Sequence, residues 1–128
     1  MSESENMSPA DRKYVTYTIS TQYLTYHNDA IEASLITDII EGFATDPVEF
    51  IILEPSALVG ESRYIQASPA GDALNSIIVE LRLDYSNQFK HYSYQTPNTG
   101  QVIRMFHDYW GLQKLPDWTS LTDITDQF

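Results

Sequence analysis

The feature that most constrains the fold is a run of alternating residues, Ile77–Asp84, followed closely by a second run, Phe89–Tyr94. In the first run every odd-numbered position is apolar, whereas the even-numbered positions include Glu80 and Arg82. A period of two is typical of a strand with one buried and one polar face. Only Tyr85–Gln88 separates the two runs, and strands joined by so short a connection pair as antiparallel neighbours. The sequence therefore predicts an antiparallel hairpin.

Three further segments have the composition of strands. Residues 14–20 alternate in the same way, and 63–68 is followed by the turn residues Ser68-Pro-Ala-Gly-Asp72. The apolar run 48–53 is short and lies between prolines, which is typical of a strand buried on both faces. With the hairpin, these segments predict a sheet of about five strands.

Two helices are predicted by apolar residues at helical spacing. Asp29 and Glu32 have the spacing of a capping box, and a helix over about 30–43 follows them. The second helix begins at Thr96 or Thr99, and Gly111 is expected to end it. Apolar residues at near-helical spacing over 115–128 predict a last short helix against the sheet.

These elements predict an α+β fold in the order β-α-β-β-β-β-α, with a short C-terminal segment. A chain of 128 residues with 42% hydrophobic and 12% aromatic residues is long and apolar enough to form one stable domain. We assign that domain to residues 14–128. The polar, acidic residues 1–13 are predicted to be a flexible N-terminal arm, without the pattern of a secretion signal.

The charge is distributed unevenly along the chain, whose net charge is -11. No lysine or arginine occurs between Lys13 and Arg63, a stretch that we call the base-free segment. A field of one sign repels nucleic acids and anionic membranes and attracts basic surfaces. The segment contains eight carboxylates: Asp29, Glu32, Asp38, Glu41, Asp46, Glu49, Glu54 and Glu61.

Catalytic and cofactor motifs are not apparent. The chain has no cysteine and no nucleophile motif, and its five glycines form no phosphate-binding loop. His27, His91 and His107 have neither metal-ligand spacing nor a partner pattern, so each is interpreted as a surface or boundary histidine. Glu80 and Asp84 share a strand face with Arg82 between them and are interpreted as solubility charges. We therefore expect no enzyme, no cofactor and no metal.

The apolar runs fall well short of the roughly 20 residues needed to cross a bilayer, so no membrane span is expected. The absence of cysteine fits a reducing compartment. Cytoplasmic localisation is the expectation.

The expected site is a surface for a basic protein partner. Asp38 and Glu41 are placed together on the exposed face of the first helix, with Asp46 and Glu49 just beyond it. Carboxylates beside aromatic residues form surfaces that steer a basic protein and then anchor it. These four residues are the predicted partner-binding site.

Four short motifs in the second half of the chain carry a resemblance: Arg63–Gln66, Val79–Arg82, Phe89–Tyr92 and Met105–Tyr109. The pattern resembles small single-domain immunity proteins encoded beside bacterial polymorphic or contact-dependent toxins. The resemblance implies a protein that needs no cofactor and that neutralises a cognate toxin domain by occluding its active site. No site residue is carried over from it.

Two alternatives remain open. One is a small-molecule-binding or enzymatic domain with an aromatic pocket between the sheet and its helices. The other is a subunit of a larger assembly, or a homodimer through an exposed strand. A filled core would favour the protein-binding interpretation over the pocket.

Overall fold

The computed structural model describes residues 14–128, and the predicted N-terminal arm lies outside the described residues. Within residues 14–128, seven strands form one antiparallel sheet in the order β2-β1-β3-β4-β5-β6-β7. The strands are β1 (Tyr17–Thr21), β2 (Thr25–His27), β3 (Ile51–Pro55), β4 (Ser62–Pro69), β5 (Ile77–Tyr85), β6 (Gln88–Thr96) and β7 (Thr122–Asp123). The helices are α1 (Ala33–Glu41) and α2 (Thr99–Leu112), with short 3-10 turns at Asn28–Ala30, Gly42–Ala44, Trp118–Ser120 and Thr125–Gln127.

The central hairpin of β5 and β6 confirms the antiparallel α+β prediction. Its nine residue pairs run without interruption from Ile77 opposite Thr96 to Tyr85 opposite Gln88. The prediction of about five strands was too low. The two additional strands are β2, before α1, and β7, after α2. They have three and two residues and are too short to show an alternating pattern.

Both helices pack on one face of the sheet, which we call the covered face. Ile36 and Ile40 of α1 and Phe106 and Tyr109 of α2 are buried in the same core. The strands contribute a row of paired, fully buried residues that includes Ile19, Leu53, Ile65 and Leu81.

His107 on α2 ties the two helices to each other. Its Nε2 lies 3.0 Å from the Ala33 carbonyl oxygen and 3.1 Å from the Thr37 hydroxyl, both on α1. A side chain that bonds across two helices fixes how they sit side by side on the sheet.

The helix ends differ from their predictions. Glu32 is the N-cap of α1 but makes no capping hydrogen bond, so the predicted capping box is wrong. Asp29 belongs instead to the 3-10 turn before the helix. Helix α2 is capped by Asn98, whose side chain accepts from the Gln101 amide at 3.0 Å. It continues past Gly111 and is terminated by Gln113 in the left-handed conformation, with φ at 52°.

Two other segments also differ. Strand β3 was expected to be buried on both faces, but Ile51, Leu53 and Pro55 are buried while Ile52 and Glu54 point away from the helices. Residues 115–128 form two 3-10 turns and β7 rather than a helix.

The opposite face of the sheet carries no helix within residues 14–128, and we call it the open face. Its cross-strand rows follow from the register: Ile52 pairs with Gln66, Gln66 with Glu80, and Glu80 with Ser93. In the neighbouring row Tyr64 lies opposite Arg82 and Arg82 opposite His91.

Candidate functional site

The base-free segment folds into one side of the molecule. Its strands β2, β1 and β3 are consecutive at one edge of the sheet, and α1 lies between β2 and β3 in the chain. Seven of the eight carboxylates of the segment therefore belong to this side, whereas Glu61 directly precedes β4 and its carbonyl accepts from the Asp84 amide of β5. The lysines and arginines of residues 14–128 all come from β4 onwards: Arg63, Arg82, Lys90, Arg104 and Lys114.

Asp38 and Glu41 are exposed on α1, as predicted from the helical spacing. Within the described part of the chain, no basic side chain forms a salt bridge with either of them. Both carboxylates are therefore presented to solvent with their charge uncompensated by a direct contact.

Asp46 and Glu49 are held in place by hydrogen bonds. Asp46 accepts from the hydroxyl of Tyr23 at 2.9 Å, and Glu49 accepts from the backbone amide of Gln22 at 2.8 Å. Glu49 also accepts from the amide of Phe50 at 2.9 Å. The structure thus brings these two carboxylates together and joins their loop to the β1–β2 connection, whereas Asp38 and Glu41 remain on α1.

Large apolar side chains stand exposed at the same place. Tyr23 is 63% exposed, Leu24 59% and Val48 57%. The hydrogen bond to Asp46 raises the pKa of Tyr23, so its hydroxyl stays protonated and continues to donate. We call Tyr23, Leu24, Asp46, Val48 and Glu49 the turn patch. Sequence analysis missed Tyr23 and Leu24, because their position in a turn depends on β2, which is too short to be recognised in the sequence.

The open face carries a second polar cluster, which is centred on His91. This side chain is fully buried, so its interpretation as a surface or boundary histidine is wrong. The ring of Phe128 lies over it at a centroid distance of 4.2 Å, and Tyr64 contacts it edge-on at 6.1 Å. The Nε2 atom of His91 lies 2.8 Å from Oε1 of Glu80, which also accepts from the Gln66 amide at 2.9 Å.

Glu80 and Asp84, four residues apart on β5, have different partners. Asp84 accepts from Arg63 at 2.7 Å and from Arg82 at 2.9 Å. Burial would raise the pKa of Asp84, but the hydrogen bonds from the two guanidinium groups outweigh it and lower that pKa. Asp84 is therefore a compensated carboxylate, whereas the described partners of Glu80 are His91 and Gln66.

A concavity of about 300 Å³ lies beside Glu80 on the open face. It is lined mainly by Phe50, Ile52, Gln66, Ser68, Ile78 and Glu80. A larger groove of about 470 Å³ lies between α2 and the segment that follows it, with Tyr94, Arg104, Asp108 and Lys114 among its lining residues.

Residues 14–128 contain no group of three or more histidine and acidic side chains that could hold a metal ion. Their two helices, of nine and 14 residues, do not have the length and apolar character needed to cross a membrane. No protein-family model matches the chain, and neither a curated protein nor a solved structure gives a significant match.

Proposed function

We propose that this protein is an acidic protein-binding module that recognises a basic partner through the turn patch and the exposed carboxylates of α1. The observation that carries the proposal is the turn patch itself, where exposed Tyr23, Leu24 and Val48 lie beside the fixed carboxylates of Asp46 and Glu49. Exposed apolar side chains grouped in this way mark interaction surfaces, and tyrosine is enriched among the residues that dominate binding energy.

The carboxylates contribute in two ways. Asp38 and Glu41 belong to the base-free side of the molecule, where a field of one sign raises the rate at which a basic protein arrives. Asp46 and Glu49 are already ordered by hydrogen bonds, so little side-chain entropy is lost when a partner binds them. The arrangement combines rapid association with a preformed contact.

The filled interior favours this interpretation over an aromatic pocket between sheet and helices. Phe106 and Tyr109 of α2 are fully buried against the covered face. The hydroxyl of Tyr109 lies 2.8 Å from the Ser62 hydroxyl. These side chains occupy the space that such a pocket would require.

In biological terms, we propose that the protein acts as an immunity protein in the cytoplasm and that the basic partner is a toxin domain. The charge polarity of the chain supports this role, because an enzyme that acts on nucleic acid carries a basic surface. An acidic protein placed on that surface would exclude the substrate. The proposal involves no catalysis by this chain.

In the first test, the purified protein is immobilised on a column and captures its binding partners at low salt. A basic nuclease or toxin domain, released by moderate salt and inhibited by the protein in solution, is the expected result. Association is then measured for the double variant Asp38→Lys/Glu41→Lys and for Asp126→Lys, an exposed carboxylate near the opposite edge of the sheet.

The double variant should associate about tenfold more slowly at low salt, and the difference should shrink at high salt. Asp126→Lys should change the rate much less. An equal rate for wild type and the double variant would contradict the placement of the surface.

The apolar part of the turn patch is tested by dissociation. Tyr23→Ala should weaken binding by about 2 kcal/mol, mostly through faster dissociation, because the ring is an anchor. Tyr14→Ala, which removes a tyrosine that is 85% exposed elsewhere, is the matched control and should leave the affinity unchanged. Equal effects of the two substitutions would show that Tyr23 is not an anchor.

A further inference from the structure

The open face offers a second site that the partner-binding proposal does not use. The concavity of about 300 Å³ lies across β3, β4 and β5, on the side of the sheet away from both helices. Its volume is at the lower end of the range of small-molecule pockets, which runs from about 300 to 1,000 Å³.

The apolar walls come from three large side chains. Phe50 precedes β3, Ile52 lies within β3, and Ile78 lies on β5; all three are half-buried. Apolar area left partly exposed in a concave site is what an apolar ligand group can cover favourably. Ser68, directly opposite Ile78 in the register, adds a hydroxyl to the wall.

The charge comes from Glu80, whose side chain remains 26% exposed. His91 and Gln66 both donate to the same oxygen, Oε1. Among the described residues no hydrogen bond reaches the other oxygen, Oε2, which leaves it available to a ligand. The carboxylate is thus fixed in direction by two neighbours while one of its oxygens can still bind.

His91 contacts Glu80 through one ring nitrogen. A carboxylate only accepts hydrogen bonds, so Nε2 of His91 carries a proton. The Nδ1 atom of His91 is buried without a partner in the described structure, and a second proton there would be an unpaired buried donor. The described hydrogen bond of the imidazole ring is thus the single one to Oε1 of Glu80, and Oε2 stays open to a ligand.

The neighbouring cations are engaged elsewhere. Arg63 and Arg82 both bind Asp84, and Arg82 also lies 4.1 Å from the centroid of the Phe89 ring. Lys90 pairs with Asp123 at 3.4 Å. A ligand cation would therefore face little competition from these side chains for Glu80.

We propose that this concavity binds a small organic cation, an ammonium group on a compact aromatic or branched aliphatic body. The ammonium binds Oε2 of Glu80, with the hydroxyl of Ser68 as a further acceptor. The apolar body covers Phe50, Ile52 and Ile78. His91 and Gln66 are positioning residues that hold the carboxylate, and the site functions independently of any protein partner.

The test uses three probes of the same shape and different charge: 2-phenylethylammonium, 2-phenylethanol and phenylacetate. Each is titrated into the full chain at pH 7 and followed by NMR chemical shifts. The ammonium should give saturable shifts at the methyl groups of Ile52 and Ile78 and bind about tenfold more tightly than the alcohol, equivalent to about 1.4 kcal/mol. Phenylacetate should not saturate.

Glu80→Gln keeps an acceptor for His91 and Gln66 but removes the charge, so the ammonium and the alcohol should then bind equally. Glu54→Gln is the matched control, because Glu54 is an exposed carboxylate of the open face that does not line the concavity. It should leave the preference for the ammonium intact. If Glu80→Gln does not fold, Ser68→Lys serves instead, because its own ammonium should occupy the site and abolish binding.

Three results would overturn the proposal. Equal binding of ammonium and alcohol by wild type would remove the role of Glu80, and shifts confined to another surface would remove the site. A fourth probe, Nα-acetyllysine N-methylamide, imitates a partner's lysine side chain. Tighter binding of that probe than of 2-phenylethylammonium would show that the concavity receives a protein side chain rather than a free small molecule.

Discussion

Tyr109 shows how a single residue can couple the fold to pH. Its ring is fully buried, and its hydroxyl and the Ser62 hydroxyl form a hydrogen bond at 2.8 Å. Its backbone carbonyl accepts from the Tyr17 hydroxyl at 3.2 Å. Burial raises the pKa of Tyr109 far above the usual value, because a phenolate would lose its hydration in the core.

A group whose pKa is higher in the folded state contributes stability at low pH and loses it as the pH rises. The unfolded tyrosine ionises near pH 10, so the contribution of Tyr109 should decline progressively above about pH 10. Tyr109→Phe should cost about 1 kcal/mol at pH 8, where Ser62 can still donate to the Tyr64 carbonyl.

The difference in unfolding free energy between wild type and Tyr109→Phe should shrink between about pH 9 and pH 11, as measured by urea unfolding. Because both proteins retain the other tyrosines, the difference isolates Tyr109. Parallel pH profiles for the two proteins would contradict the assignment.

Among the elements, the two helices differ at their starts. Helix α2 begins with Asn98, whose side chain satisfies the amide of Gln101. Helix α1 begins with Glu32, which leaves its first amides without a side-chain cap. A cap of the asparagine type contributes about 1 kcal/mol, so the stability of α1 depends instead on the burial of Ile36 and Ile40.

Asn98→Ala should therefore lower the unfolding free energy by about 1 kcal/mol, while Glu32→Ala should change it by less than about 0.5 kcal/mol. Chemical denaturation of the two variants beside wild type measures both effects. A larger loss for Glu32→Ala than for Asn98→Ala would mean that the caps are assigned wrongly.

Sequence-based prediction was accurate where a long local pattern determines the structure and failed where specific hydrogen bonds override the pattern. The β5–β6 hairpin was predictable because the alternation of β5 runs over Ile77–Asp84 and only a short connection separates it from the second run, Phe89–Tyr94. The C-terminal residues had near-helical spacing, but Asp117 and Asp123 each bind the threonine two residues later, through both its amide and its hydroxyl. Such local bonds compete with the helix and favour turns.

The sites depended on contacts that no local pattern displays. Phe128, distant in sequence, lies over His91, and the bond between Gln22 and Glu49 helps to join the two loops of the turn patch. Only the exposure of Asp38 and Glu41 could be predicted from helical spacing alone, because it needs no distant partner.

For the whole molecule, the imbalance of charge has a cost in stability. With eighteen acidic and seven basic residues, folding brings like charges closer together, most of all on the side built from the base-free segment. Asp84 is an exception, because two arginines hold it. The effect of salt on the melting temperature of a variant should therefore depend on which carboxylate is replaced.

Asp38→Lys should raise the melting temperature by about 1–3 °C in about 10 mM salt, and the gain should vanish in about 1 M salt, where the screening length is about 3 Å. Asp84→Asn should lower it at both salt concentrations, because both arginines lose their acceptor. Calorimetry at the two concentrations measures both variants. A loss of stability for Asp38→Lys at low salt would show that self-repulsion is not limiting there.

The two edge strands of the sheet also determine how readily one molecule can pair with another. Its outermost strands, β2 and β7, have three residues and two. A homodimer formed by strand addition would thus gain only a few main-chain bonds at either border. β7 pairs with β6, whose nine residues would otherwise form a long exposed edge to which another chain could add a strand. β7 and the 3-10 turn after it cover part of the β6 edge. Removing them should expose that edge and promote the assembly of the protein into fibrils.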